Sequence, residues 1–309
     1  MTGSRSTERR VLVAPMLRPG DRVRLVSPAS FPSRELLAES AAVLEGWGLV
    51  AEVGAHALDQ WGYLAGRDQD RLSDLDDAFR DPGVRAVIAT RGGAGAYRIA
   101  DEIDFAAVRA DPKPMVGFSD ITALHLALWR QCGLAGIHGF LAGSRSANAT
   151  RRLLMSSEST TLHRDPRAMT VAAEVPGIAA GNLVGGNLGT LAHAVGVGLP
   201  SLAGTILFLE AERAIGLGHV DRQLTQLIRS GSLQGVRGVA LGRFPGFEGY
   251  VDREWTLVDV FKDRLGSLGV PVLGGLDVGH GPDPLSLPLG PAAVLDTKSG
   301  TLTVEPAVR

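Results

Sequence analysis

The alternation of short β-branched runs with amphipathic stretches through the first half of the chain most constrains what it can fold into. Residues 22–27 (RVRLVS) follow the turn residues Pro19-Gly20-Asp21 and read as a strand. Ser33 stands where a helix cap is wanted, and Leu36, Leu37, Ala41, Val43 and Leu44 keep roughly helical spacing up to Gly46. Residues 49–53 form a second strand. Residues 67–80 repeat Leu72, Leu75 and Phe79 at helical intervals, with Asp and Arg on the other faces. Residues 86–90 (AVIAT) are continuously apolar, as a strand covered on both sides must be. A helix is expected over 95–103, a strand over 114–118 and a strongly apolar helix over 121–129 (ITALHLALW). This pitch predicts a mostly parallel sheet flanked by helices.

The second half reads differently. Residues 139–161 hold a short helical patch at 151–155 but are otherwise rich in Ser, Ala and Thr, the character of a connection. A glycine-dense stretch, GNLVGGNLGT (181–190), precedes a buried strand at 205–209, a helix at 220–229 and a strand at 238–242. Short apolar runs broken by Gly and Pro over 271–306 suit β-structure with tight turns. The expected organisation is an α/β domain over 1–148, a connecting segment over 149–180 and a smaller β-rich domain over 181–309. A length of 309 residues agrees, since single cores usually stop growing at about 250–300 residues.

Composition removes several functions. With 31 Lys+Arg against 33 Asp+Glu, no basic excess exists to displace counterions from nucleic acid. One cysteine, Cys132, excludes a disulfide framework and a thiolate zinc cluster, and no H-x-x-x-H or H-x-H offers metal-ligand spacing. The early apolar run 11–17 is interrupted by Pro15 and is too short for a membrane span. A soluble cytoplasmic protein with neither nucleic-acid nor membrane partners is expected.

In open α/β sheets the reactive crevice lies beyond the carboxyl ends of the strands. After AVIAT comes Arg91-Gly92-Gly93-Ala94-Gly95, a loop whose backbone can approach a ligand closely. It misses the G-x-G-x-x-G pattern, because Arg98 stands where the third glycine should fall, and no G-x-x-x-x-G-K-[ST] loop exists. A plain strand-to-helix turn explains it equally well. The next strand end gives Gly117-Phe118-Ser119-Asp120 before the apolar helix. Ser119 there has the setting of a nucleophile, with helix-terminal N–H groups beside its hydroxyl to bind an oxyanion; alternatively Ser119 or Asp120 merely caps the helix. A serine needs a base. His280, in Gly279-His280-Gly281-Pro282, lies on a turn suited to project its ring into a cleft, while His138 is an outside candidate and His125 has core character. His56, His163, His193 and His219 have no evident partner. Glu210, closing TILFLE, is either the first solvated residue of a strand end or an acid placed to orient an imidazole.

Long blocks in fixed order add a resemblance. They are PGDRVRLVSPAS (19–30), GYLAGRDQDRLSDLDDAFRDPGVRAVIATRGG (62–93), KPMVGFSDITALHLAL (113–128), GNLVGGNLGTLAH (181–193), ILFLE (206–210), DRQLTQL (221–227) and VPVLGGLDVGHGPDPLSLPLG (270–290). Over nearly its whole length the chain resembles the LD-carboxypeptidase family of serine peptidases (family S66), which includes muramoyltetrapeptide carboxypeptidases of peptidoglycan recycling and microcin C immunity hydrolases. The resemblance implies an N-terminal Rossmann-like or flavodoxin-like parallel-sheet domain carrying the serine and a β-rich C-terminal domain carrying acid and base. It implies Ser119 as nucleophile, Glu210 as acid and His280 as base, with backbone N–H groups of Asp120 and the Gly92-Gly93 turn as oxyanion hole. The implied reaction cleaves an L,D-peptide bond to a terminal D-alanine in muropeptides, with no metal or organic cofactor. A microcin C immunity-like hydrolysis of a peptide-like or aminoacyl-nucleotide-like product is the alternative. The implied partners are a small peptide-like substrate and a second copy in a homodimer. Departures fall near the substrate: Ala94 stands where an aromatic is common, Phe140 where proline is usual, Ala211 where an acid is usual, and 143–165 match no family block. Ala94 and Gly281 are therefore the candidate substrate-binding positions.

Overall fold

The computed structural model describes residues 11–309, so the first ten residues of the expected N-terminal domain lie outside the description. The first half builds a βα series: β1 (Arg22–Val26), α1 (Arg34–Gly46), β2 (Val50–Val53), α2 (Asp68–Arg80), β3 (Val84–Ala89), α3 (Phe105–Ala110), β4 (Met115–Gly117), α4 (Thr122–Cys132), β5 (Gly136–His138) and α5 (Ser144–Met155). Ser33 caps α1 by accepting from the Leu36 N–H, as its position suggests. The strands lie parallel in the order β2-β1-β3-β4-β5, the doubly wound flavodoxin-like order. The crevice beyond the β1, β3 and β4 ends is thus the expected ligand site, and the loops holding Pro28, Gly92 and Ser119 meet there.

The rest of the chain supplies β6 (Thr160–His163), β7 (Ile178–Asn187), α6 (Leu188–His193), β8 (Thr205–Glu210), α7 (Leu217–Arg229), β9 (Gly238–Leu241), α8 (Leu257–Gly266), β10 (Val272–Leu273), β11 (Leu287–Leu289), β12 (Ala292–Asp296) and β13 (Thr301–Val304). Seven of these strands form a second sheet in the order β10-β9-β8-β7-β12-β13-β6. Its β7–β10 core is parallel, and its other pairings are antiparallel. β11 instead crosses back and pairs antiparallel with β5, joining the first sheet. Each sheet has its own apolar packing, with Phe208, Ile206 and Leu295 on one face of the second and Leu207, Leu224 and Phe261 on the other.

Two readings of the first half need correction. The helix expected over 95–103 is only a 3-10 turn, Ala96–Arg98, because Gly95 enters it at φ +123° and Asp104 caps a fresh helix, α3, through the Ala106 and Ala107 N–H groups. The charged residues of α2 do not all face away from the core. Arg71, Asp74 and Asp76 are buried with Leu75 and Phe79, where they hold loop backbone. No helix among the described residues is long and apolar enough to cross a membrane.

Candidate active site

Ser119 follows the short strand β4 and opens a 3-10 turn, Ser119–Ile121, that leads into α4. Its φ is +60°, a conformation that costs a non-glycine residue of order 1–3 kcal/mol and persists only where surroundings enforce it. The enforcement is visible. A Cβ on Gly117 would meet the Ile121 side chain at 2.6 Å, and one on Gly92 would meet the Ser119 Cβ at 2.8 Å, so the turn is wedged between glycines. The hydroxyl is thereby lifted off the sheet edge.

Glu210 ends β8 and is fully buried. Its Oε2 accepts from the His280 backbone N–H at 3.0 Å and lies 2.5 Å from His280 Nδ1. Gly279, at φ +112°, brings the histidine loop so close that a Cβ there would strike the Glu210 side chain at 2.7 Å. His280 Nε2 lies 3.1 Å from Ser119 Oγ. Hydroxyl, imidazole and carboxylate therefore form one hydrogen-bonded line across the two sheets. Burial draws the His280 pKa down, but the Glu210 hydrogen bond and charge outweigh it and the net shift is upward. For Glu210 burial pushes upward, and the His280 hydrogen bond and charge bring the carboxyl below its usual range.

The turn at 92–96 is held from several sides. The Ser30 N–H donates to Gly92 O at 3.3 Å, and the Ala94 N–H donates to Ser30 Oγ at 3.2 Å. The Asp120 carboxylate accepts from the Ala96 N–H at 2.7 Å, while burial raises its pKa. The N–H groups of Gly92 and Gly93 have no hydrogen-bond partner among the described residues. Two amides of this turn are thus free to donate, and Gly92 lies against Ser119. Ala94 is half-buried on the same turn, and Gly281, at φ +114°, borders Arg243 on the exposed side of His280.

The remaining histidines stand apart from the reacting line. His138 is buried between Phe118 and Phe208, its ring nitrogens unpartnered among the described residues and its pKa pushed by burial down to about 4. His125 Nε2 is 2.9 Å from Gly117 O within the core, as its setting in the apolar helix suggested. Phe140 stacks on Phe118 at 4.8 Å, and Phe118 in turn sits 5.2 Å from His280, so this departure forms one wall behind the base. Sequence reading missed Asn187. Its Nδ2 donates to Glu210 Oε1 at 3.3 Å, its Oδ1 accepts from the Thr190 N–H, and its own N–H donates to Thr122 Oγ1. The signal was an Asn before a helix in GNLVGGNLGT, an ordinary cap position.

A hydroxyl in line with an imidazole that a buried carboxylate holds, with unpaired amides on the neighbouring turn, is an arrangement suited to acyl transfer, the chemistry of enzymes that hydrolyse amide or ester bonds. The comparisons narrow the class. Residues 23–139 match the LD-carboxypeptidase N-terminal domain and residues 180–295 the LD-carboxypeptidase C-terminal domain. A Streptomyces coelicolor relative provisionally named a carboxypeptidase is 41% identical, covering 96% of this chain and 97% of its own. The murein tetrapeptide carboxypeptidase of Pseudomonas aeruginosa is 30% identical, covering 89% and 93%. The muramoyltetrapeptide carboxypeptidase of Oxalobacter formigenes superimposes with a TM-score of 0.82 at 26% identity, covering 93% and 100%. MccF in complex with glutamyl sulfamoyl guanosine has a TM-score of 0.83 at 21% identity, covering 95% and 98%, a likeness of fold. The chain belongs to the LD-carboxypeptidase family, peptidase family S66, and is a hydrolytic peptidase.

Proposed function

We propose that the protein is a serine carboxypeptidase that removes a terminal D-alanine from muropeptides by cleaving an L,D-peptide bond. The observation that carries the reading is the line Ser119 Oγ–His280 Nε2–His280 Nδ1–Glu210 Oε2, with contacts of 3.1 and 2.5 Å. His280 takes the Ser119 proton as the oxygen attacks the carbonyl of the L-configured centre. The tetrahedral oxyanion is held by the N–H groups of Asp120 and of the Gly92-Gly93 turn. His280, kept in one tautomer by Glu210, then protonates the departing D-alanine amine, and a water molecule, deprotonated by the same imidazole, releases the acyl group. A groove of about 520 Å³ lined by His280, Gly281, Pro282 and Arg243 opens beside the imidazole.

A specific observation favours a second reading, hydrolysis of a peptide-like or aminoacyl-nucleotide-like product. Ala94 leaves the edge of the oxyanion turn without an aromatic side chain, and the MccF fold accommodates an aminoacyl sulfamoyl nucleoside. Cytoplasmic location and a homodimer complete the proposal, the latter checked by light scattering in solution. The deciding experiment offers the protein a muropeptide tetrapeptide and an aminoacyl sulfamoyl nucleoside side by side. Release of D-alanine supports the first reading and hydrolysis of the nucleoside alone supports the second. Ser119→Ala should lower turnover of either by on the order of 10⁶-fold with an unchanged melting temperature. Activity close to wild type in that variant removes both readings.

A further inference from the structure

The oxyanion turn has a support that the proton relay does not use. Arg71 lies in α2, and its side chain is completely buried although it is charged. A buried charge is tolerated only when paired and hydrogen-bonded. Its Nη2 pairs with the Asp68 carboxylate, which also binds Arg98 through contacts of 2.7–2.9 Å. Its Nη1 donates to two backbone carbonyls, Pro28 O beyond the end of β1 and Gly95 O, the latter at 2.9 Å. Its Nε is buried without a partner among the described residues, so the guanidinium is seated for its outer nitrogens. The turn is gripped from the opposite side by Asp120, whose carboxylate accepts the Ala96 N–H and feels the Arg71 charge. A carbonyl and an amide of one turn are thus pinned by opposite charges, and Asp120 directly follows Ser119.

We propose, resting on the reading of Ser119 as nucleophile, that Arg71 is a positioning residue that fixes the 92–96 turn so that its free N–H groups point at the oxyanion. The guanidinium touches no reacting atom. It ties the loops after β1 and β3 to each other at the switch point of the sheet, and removing it frees the Gly95 carbonyl to rotate, carrying the adjoining peptides with it. A lysine keeps the charge but lacks the planar fork that serves two carbonyls and a carboxylate at once. Asp68 holds the same guanidinium from a half-exposed position, so Asp68→Asn weakens the clamp without emptying a buried site.

The test uses the full chain and a fluorophosphonate probe, which phosphonylates an activated serine whatever peptide the enzyme prefers, with D-alanine release measured in parallel. Labelling of wild type, absent in Ser119→Ala, establishes the nucleophile. Arg71→Met should then label about 10²-fold more slowly, with kcat for D-alanine release lowered similarly and KM changed less than about threefold. Arg71→Lys should fall between Arg71→Met and wild type, and added guanidinium should restore part of the rate of Arg71→Ala. The acid limb of the pH profile should stay in place in every variant, because the Glu210–His280 pair is untouched. Should Arg71→Met fail to fold, Asp68→Asn should still slow labelling several-fold. Wild-type labelling rates in the folded variants, or a displaced acid limb, overturn the positioning role alone. A wild type in which Ser119 does not label overturns the underlying reading instead.

Discussion

Gly92 offers a direct test of the site geometry, because its substitution presses on Ser119. Its φ lies outside the left-handed region, so alanine meets no backbone penalty there. The added methyl would lie 2.8 Å from Ser119 Cβ, 3.2 Å from Ser119 Oγ and 3.1 Å from Phe118 O. Restoring ordinary contact at 3.4 Å moves Ser119 Cβ by about 0.6 Å. The serine has nowhere neutral to go: it already holds φ +60°, and its hydroxyl is committed to His280 at 3.1 Å. A displacement approaching 1 Å in a reacting group costs about 10²-fold in rate, or ~2.7 kcal/mol of barrier. Overpacking should cost at most about 1–3 kcal/mol of stability, leaving the chain folded. Steady-state release of D-alanine, run beside a thermal melt, separates the two effects. The expected result for Gly92→Ala is a kcat about 10²-fold below wild type with KM little changed. A folded variant turning over within about threefold of wild type would refute the claim that Gly92 and Ser119 are in enforced contact.

Two further outcomes follow from charge. His280 must be neutral to accept the serine proton and its pKa is raised, so kcat/KM should climb with pH through a midpoint above 6.5. Glu210→Gln should carry that midpoint below 6.5, where burial outweighs the remaining Glu212 charge, and lower the plateau by on the order of 10⁴-fold; an unmoved midpoint would dissociate Glu210 from His280. For stability the signs differ: the raised His280 helps fully below 6.5 and loses its contribution as pH rises through the folded pKa, whereas the depressed Glu210 helps fully above 4.5 and loses its contribution on acidification. Lys113, completely buried, donates to Ala78 O, Phe79 O and Asp81 O at the end of α2. Lys113→Met should therefore destabilise by about 1–3 kcal/mol in a denaturant titration while folded molecules keep their turnover, and unchanged stability would mean the carbonyls find other partners.

What the sequence disclosed was mostly what short-range physics controls. The strand ends before Gly92 and Ser119 were visible because apolar runs stop there and the doubly wound order puts ligand loops at such ends. The full α5 was not, since its first turn is capped by Asp283, which accepts from the Arg145 and Ser146 N–H groups from far along the chain. A helical patch at 151–155 was all that local spacing could reveal. In 149–180, read as a connection, residues 160–163 form β6 at the edge of the second sheet, through pairing with β13 near the C-terminus. The burial of Arg71 was hidden for a related reason. A charged residue on an amphipathic helix reads as solvated unless the distant carbonyls that receive it are known. By contrast, α8 was legible and unread: Thr256 and Asp259 form a reciprocal capping box, a pattern written in adjacent residues.

The long-range contacts that sequence hides are also those that fix His280 against Ser119. His280 belongs to a loop whose continuation reaches over to the first sheet. A few residues on, β11 pairs with β5, Ser286 Oγ meets Thr150 Oγ1 at 2.7 Å, and Ser146 Oγ donates to Pro284 O at 2.6 Å. Just before it, Asp277 pairs with Arg145 of α5 and with Arg243 beyond β9. His280 is therefore strapped to the half of the molecule that carries Ser119, while its Nδ1 and backbone N–H are held by Glu210 of the other half. A rigid rotation between the sheets would break one set of bonds or the other. The 3.1 Å contact between His280 and Ser119 is thus a consequence of how the two sheets are tied together, and relay geometry and packing between the sheets must fail together.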